Sequence, residues 1–256
     1  MVARGVDDAL PAEEDRVRIG PLELMRLDLV GAIEFLRSTV QQRRVTDVAI
    51  CNSHTLLTAL DEPSYASILQ SMTLFNDGVG INWASRYLHG RSFPDNLNGT
   101  DFVPILLDQI GIPLRIYLLG AKKAELDLAA ASIAKKYPLH TVVGARDGYF
   151  SPEQTADVCQ VISDAKPDLL LVAMGNPRQE RFIHENRAAL NVTVAIGVGA
   201  LFDFMSGRVV RAPRLMRALQ LEWLFRLIQE PRRLFQRYVI GIPRFLLAIR
   251  RLKKKQ

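Results

Sequence analysis

The chain has 256 residues, with 33 basic against 27 acidic side chains, and the excess of positive charge lies at one end. Residues 208–256 hold fourteen Lys or Arg and only two acids, Glu222 and Glu230, so a body of net −6 ends in a tail of net +12. This length can bury a substantial core, while the longest apolar runs are too short to span a bilayer, the N-terminus MVARGVDDALPAEEDR lacks the plan of a signal peptide, and Cys51 and Cys159 provide neither a disulfide framework nor a metal-ligand spacing.

In chain order, residues 1–21 read as a disordered lead-in. From 22 to 207, β-rich apolar runs at 45–50, 115–119, 141–143, 168–173 and 192–196 are interspersed with helix-like stretches at 29–42, 123–136, 152–165 and 178–189. Ser151 as N-cap and Pro152 as first helical residue mark one helix start. Continuous apolar strands alternating with amphipathic helices predict an α/β domain, a mainly parallel sheet flanked by helices (Rossmann-like). The strands stop near Gly207. Residues 208–256 are expected to form an all-helical basic appendage, helical over 215–229 and again from Pro231 to about 255, with a bend at Gly241 and Pro243. Large apolar residues are mixed with the arginines of this tail. That mixture suits the anionic face of a membrane rather than nucleic acid, whose binding tails are usually basic and polar.

Open parallel sheets bind ligands beyond the C-terminal strand ends, and four polar clusters follow apolar runs here. In AICNSHT, Asn52 either holds a sugar hydroxyl or phosphate or caps the next helix; His54 reads as a turn or cap residue. In TLFNDGVGINWAS, Asp77 precedes Gly78 and Gly80, and is either a general base or the N-cap of a helix over 79–88. In LVAMGNPRQERFI, a Gly-x-Pro turn opens a helix whose first N–H groups face the site, with Gln179 and Glu180 in its first turn. In IGVGALFDFMSGRVVRAP, Gly197 and Gly199 lack the third glycine of a dinucleotide fingerprint, and Asp203 supplies a carboxylate. P-loop, GxSxG, zinc and Asp-x-Asp motifs are absent.

Taken together the pieces NDGVGINWAS, NGTDFVP, IYLLGAKK, DGYF, PDLLLVAMGNPRQERFI, AIGVGALFDFMSGRVVRAP and LEWLFRLIQEPRRLFQRY, in that order, resemble the WecG/TagA/CpsF family, glycosyltransferase family 26. The resemblance implies inverting, metal-independent transfer of a hexose-type sugar from a UDP-sugar donor to a polyprenyl-pyrophosphate-linked acceptor, at the cytoplasmic face of the plasma membrane, in cell-surface or exopolysaccharide synthesis. It implies that Asp77 is the general base, that Asn52 and Gln179 line the same pocket, and that Gly199 and Asp203 lie beside the nucleotide. Arg226, Arg233 and Arg237 match tail arginines that close over phosphates. Many relatives carry Arg where this chain has Asn96, so Asn96 is a candidate for altered substrate handling. No cofactor is implied. The donor sugar, the polymer and homo-oligomerisation are left open. The competing reading is a non-catalytic, membrane-associated nucleotide-sugar-binding adaptor.

Overall fold

The structure, a computed structural model, describes residues 16–209, 212–213, 216, 222–229 and 231–254, with the backbone alone for Glu222, Arg226, Arg232 and Arg233. It opens with an antiparallel hairpin, β1 (Arg16–Ile19) and β2 (Leu22–Met25), turned at Gly20 with φ of +59°. Val17, Ile19, Leu22 and Leu24 are buried. The lead-in expected to reach residue 21 is therefore corrected: the period-two alternation of RVRI and LELM buries one face of each strand. Each run has only four residues, too few for that period to stand out.

Six parallel strands follow: β3 (Thr46–Cys51), β4 (Thr73–Asn76), β5 (Arg115–Gly120), β6 (Thr141–Arg146), β7 (Leu169–Ala173) and β8 (Val194–Gly197), in the order β4-β3-β8-β7-β5-β6. The helices between them are α1 (Leu29–Gln41), α2 (Ser53–Asp61), α3 (Pro63–Gln70), α4 (Gly78–His89), α5 (Gly99–Gln109), α6 (Lys123–Lys136), α7 (Thr155–Asp164), α8 (Arg178–Glu185), α9 (Arg187–Leu190) and α10 (Leu201–Met205). Alternate residues of one strand serve opposite cores. Leu170 and Val172 of β7 belong to one buried cluster, and Leu169, Leu171 and Ala173 to the other. Burial on both faces is why the run reads as continuously apolar, and the α/β, Rossmann-like expectation holds. β4 shows only TLF before its polar end, and α5 has Pro104 in its interior.

From Glu222 the tail is helical where described, over Glu222–Gln229 and Pro231–Phe235, then through a π-helical turn at Gln236–Ile240 into a terminal helix, Gly241–Lys253. The boundary placed near Gly207 does not isolate this last helix from the body. Phe245 and Ile249 are buried within the cluster that also holds residues of α2 and α4. Arg244 pairs with Asp61 at 2.9 Å, Lys253 Nζ donates to the Leu88 carbonyl at 2.8 Å, and Phe245 lies 6.4 Å from the Trp83 ring, centroid to centroid. Among the described residues no helix is long and apolar enough to cross a membrane.

Candidate functional site

The four clusters singled out from the sequence come to the carboxyl ends of four adjacent strands, β4, β3, β8 and β7. Their side chains form two groups that adjoin at Cys51.

The first group is Asn52, Asp77 and Asn96. Asn52 ends β3 in extended geometry and caps α2, its Oδ1 accepting from the backbone N–H groups of His54 at 3.0 Å and Thr55 at 3.1 Å. Its Nδ2 donates, at a long 3.4 Å, to Oδ2 of Asp77. Asn52 is thus both the cap and a neighbour of the candidate base. The ladder carries on past β4, where the Asp77 N–H donates to the Cys51 carbonyl at 2.8 Å. Asp77 occupies the N-cap position of α4, yet its side chain makes no capping hydrogen bond there. Instead Asn96 Oδ1 accepts from the Gly78 N–H at 2.8 Å. An orphan donor of the helix start is satisfied by Asn96, and the Asp77 carboxylate, half-buried, is not consumed by helix capping.

The second group is built on Glu180, which is buried in the first turn of α8. One oxygen, Oε1, accepts from Asn176 Nδ2 at 2.6 Å and from Gln179 Nε2 at 2.7 Å; Oε2 accepts from the Tyr65 hydroxyl at 3.1 Å. These donors fix which way the Gln179 amide faces. Its Oε1 is directed at the N–H groups of Gly175, at 3.2 Å, and Gly199, at 3.1 Å. Gln179 is itself buried, so it acts by tying the β7–α8 turn to the β8–α10 turn. Gly78, Gly175 and Gly199 all adopt positive φ, and a Cβ on any of them would meet open space. Three left-handed turns along one edge leave room for a ligand to approach the backbone.

Burial raises the Glu180 pKa, opposed in part by the hydrogen bonds from Gln179, Tyr65 and Asn176. Cys51 is buried between the two groups: desolvation pushes its thiol up first, and the charges of Asp77 and Glu180 push it further. A carboxyl raised on folding favours the folded state below its unfolded pKa, and that contribution is lost as pH rises through the folded value. Glu180→Gln, which has no carboxyl to titrate, is therefore expected to gain stability relative to wild type between pH 4 and pH 8, measured by urea denaturation. Glu180→Ala leaves three donors without their acceptor, Tyr65 and Gln179 buried and Asn176 half-buried, and is expected to cost about 1–3 kcal/mol for each buried one that stays unsatisfied. A parallel rise in donor KM would report the loosened glycine turns.

Asp203 lies in α10 beside the tail's point of departure. Its Oδ1 is 3.4 Å from Arg208 Nη1, which also pairs with Glu125 at 3.3 Å, and its carbonyl accepts from the Val209 N–H at 3.1 Å. The side chains of Arg226 and Arg233 lie outside the described residues. Arg237 is half-buried in the π-helical turn, and its charge reaches His54 at the start of α2, adding to the burial that lowers the His54 pKa. Among the described residues no group of three or more His, Cys, Asp or Glu side chains is placed to hold a metal ion. Sequence reasoning missed Tyr65 and Asn176. Tyr65 meets Glu180 from 115 positions away along the chain, and no local pattern marks it.

Over 232 residues, 90% of this chain and 89% of the relative, the sequence is 32% identical to an N-acetylglucosaminyldiphosphoundecaprenol N-acetyl-beta-D-mannosaminyltransferase of Bacillus subtilis (strain 168). It is 29% identical over 234 residues to a protein of the same name from Bacillus spizizenii (strain ATCC 23059 / NRRL B-14472 / W23), with coverage of 90% and 89%. The Glycosyl transferase WecG/TagA/CpsF family matches residues 17–256. Strand ends, glycine turns and the tail all fall within that match, and the chain belongs to the WecG/TagA/CpsF family of glycosyltransferases.

Proposed function

We propose that this glycosyltransferase moves a hexose-type sugar, with inversion, from a UDP-sugar to a sugar already linked to a polyprenyl pyrophosphate, in the synthesis of a bacterial cell-surface or exopolysaccharide. The observation that carries the reading is Asp77. It stands at the carboxyl edge of the sheet, held beside Asn52, with the capping of α4 given over to Asn96. Both relatives are named for transfer of N-acetylmannosamine to an N-acetylglucosaminyl diphosphoundecaprenol, so that pair is the first donor and acceptor to try.

In this reading the acceptor hydroxyl gives its proton to Asp77 as its oxygen attacks the anomeric carbon, and UDP leaves from the opposite face. General-base help of this kind is worth about 10²–10⁴ in rate. The glycine turns at Gly175 and Gly199 offer the nucleotide close backbone contact, with Gln179 holding them and Asp203 nearby. Arg226, Arg233 and Arg237 supply the cationic charge that offsets the departing diphosphate, often the larger contribution. Asn96 contributes through the start of α4, where relatives place a cation. The protein works at the inner face of the plasma membrane, where the basic tail meets anionic lipid at about 1 kcal/mol per cation. A non-catalytic adaptor would have no use for a carboxylate kept out of the helix cap.

The absence of an Asp-x-Asp pair from the sequence and the wealth of tail arginines support metal-independent transfer. UDP release from the donor, measured with lipid-linked acceptor and EDTA together, is expected to proceed at the rate seen without chelator. Loss of release on chelation, restored by Mg²⁺ or Mn²⁺, would refute metal independence, and no release under any condition would favour the adaptor.

A further inference from the structure

An acceptor of the kind proposed above carries its sugar on a long prenyl chain, and that chain must leave the site along the protein surface. We propose that a groove between α2 and the terminal helix binds the first isoprenoid units of the acceptor; this rests on the functional reading above. The groove has a volume of about 470 Å³, within the ~300–1,000 Å³ of small-molecule sites. Leu57, Leu60, Leu247 and Leu252 give it apolar walls, and Arg244 and Arg251 also line it.

Both walls begin at the edge of the sheet that holds the site. Helix α2 opens at Asn52, beside Asp77. Leu57 follows five residues later, about 7.5 Å along the helix. The terminal helix comes to the same place: a Cβ built on Gly80, the third residue of α4, would lie 3.4 Å from Ser53 Cβ and 3.5 Å from the Phe245 ring. From there Phe245 and Ile249 turn into the core, while Leu247 stays 53% exposed on the groove side. An isoprenoid chain lying in the trough would take the exposed face of Leu247 out of water, a favourable burial of apolar surface. The charge fits as well. Arg244 is paired with Asp61 at 2.9 Å, so the net charge of the lining is that of Arg251, suited to a hydrocarbon that ends in a diphosphate.

The test compares binding of geranylgeranyl diphosphate and isopentenyl diphosphate, which share a head group and differ in chain length, to the full chain by calorimetry. Wild type is expected to bind the longer probe at least about tenfold more tightly, because only that probe buries apolar surface in the groove. Ala248→Phe narrows the groove and Leu247→Glu places a charge in it; each is expected to remove the preference and leave the affinity for the short probe and the Tm unchanged. Leu247→Glu sits at an exposed position, so it keeps the test open if Ala248→Phe fails to fold. Equal affinities in wild type, or a preference that survives Leu247→Glu, would overturn the proposal. So would a Leu247→Glu variant that loses attachment to phosphatidylglycerol vesicles while keeping the preference, since the face would then belong to the bilayer. Acceptor sugars on the two diphosphates separate this from the functional reading. No UDP release with either acceptor counts against the transferase reaction as proposed. Release from both with the same KM leaves that reaction standing and removes the groove.

Discussion

Asp77→Asn is expected to lower kcat at least about 100-fold, with the affinity for UDP little changed. The substitution preserves volume, and an amide can still meet Asn52 Nδ2 through its oxygen. The backbone N–H of residue 77 continues to donate to Cys51, and Asn96 continues to cap α4, because neither contact uses the Asp77 side chain. The carboxylate's negative charge and its basicity are removed together. Steady-state turnover with saturating donor, alongside calorimetric binding of UDP, separates chemistry from binding. Near-normal turnover would remove Asp77 from the role of base. An equal loss of UDP affinity would make it a nucleotide contact instead.

The second large effect is on stability and concerns the tail. Phe245→Ala is expected to cost about 3–5 kcal/mol and Ile249→Ala about 2–5 kcal/mol, because both side chains are buried against the α/β body, at 2% and 0% exposure. A domain is stable by only about 5–15 kcal/mol, so the double variant, or truncation after Tyr238, is expected to unfold at far lower urea than wild type. Wild-type midpoints for either would mean that the terminal helix is not docked in solution. Truncation is therefore a poor test of membrane attachment. The outward residues Leu246, Arg250 and Arg251 are the positions at which vesicle binding can be changed without emptying the core.

Legibility in the sequence followed the length of the signal. Five of the six parallel strands show in apolar runs: burial on both faces makes β3, β5, β7 and β8 continuous, while the edge strand β6, with no residue fully buried, shows only as the short run at 141–143. β4 is four residues long and ends on Asn76, so it read only as an apolar stretch before Asp77. The β1–β2 hairpin was lost for the same reason. For Asn52 the cap and the site were posed as alternatives; its oxygen caps α2 while its nitrogen meets Asp77, and composition cannot express that division. Taken alone, Asp77 reads more readily as the cap of α4 than as a base, and what favours the base is a residue 19 positions downstream, Asn96, that takes the helix N–H. Glu180 sat in a motif, but its partner Tyr65 is on another helix, and a hydrogen bond over that separation leaves no local trace. The distal tail's basic and apolar mixture reads from the sequence as an interfacial anchor, with packing of its apolar residues on the body as the alternative. The structure divides it, with Phe245 and Ile249 inward and Leu246 and Leu247 outward, and periodicity without a partner in view could not say which face met the body.

The most direct measurement is mass spectrometry of a polyprenyl-pyrophosphate-linked N-acetylglucosamine incubated with the protein and a panel of UDP-sugars. One UDP-sugar is expected to add a single sugar residue to the acceptor, with one UDP released for each acceptor extended, in wild type and not in Asp77→Asn. UDP released without any gain of mass on the acceptor, or an acceptor extended equally well by the Asp77→Asn protein, would contradict transfer by this site.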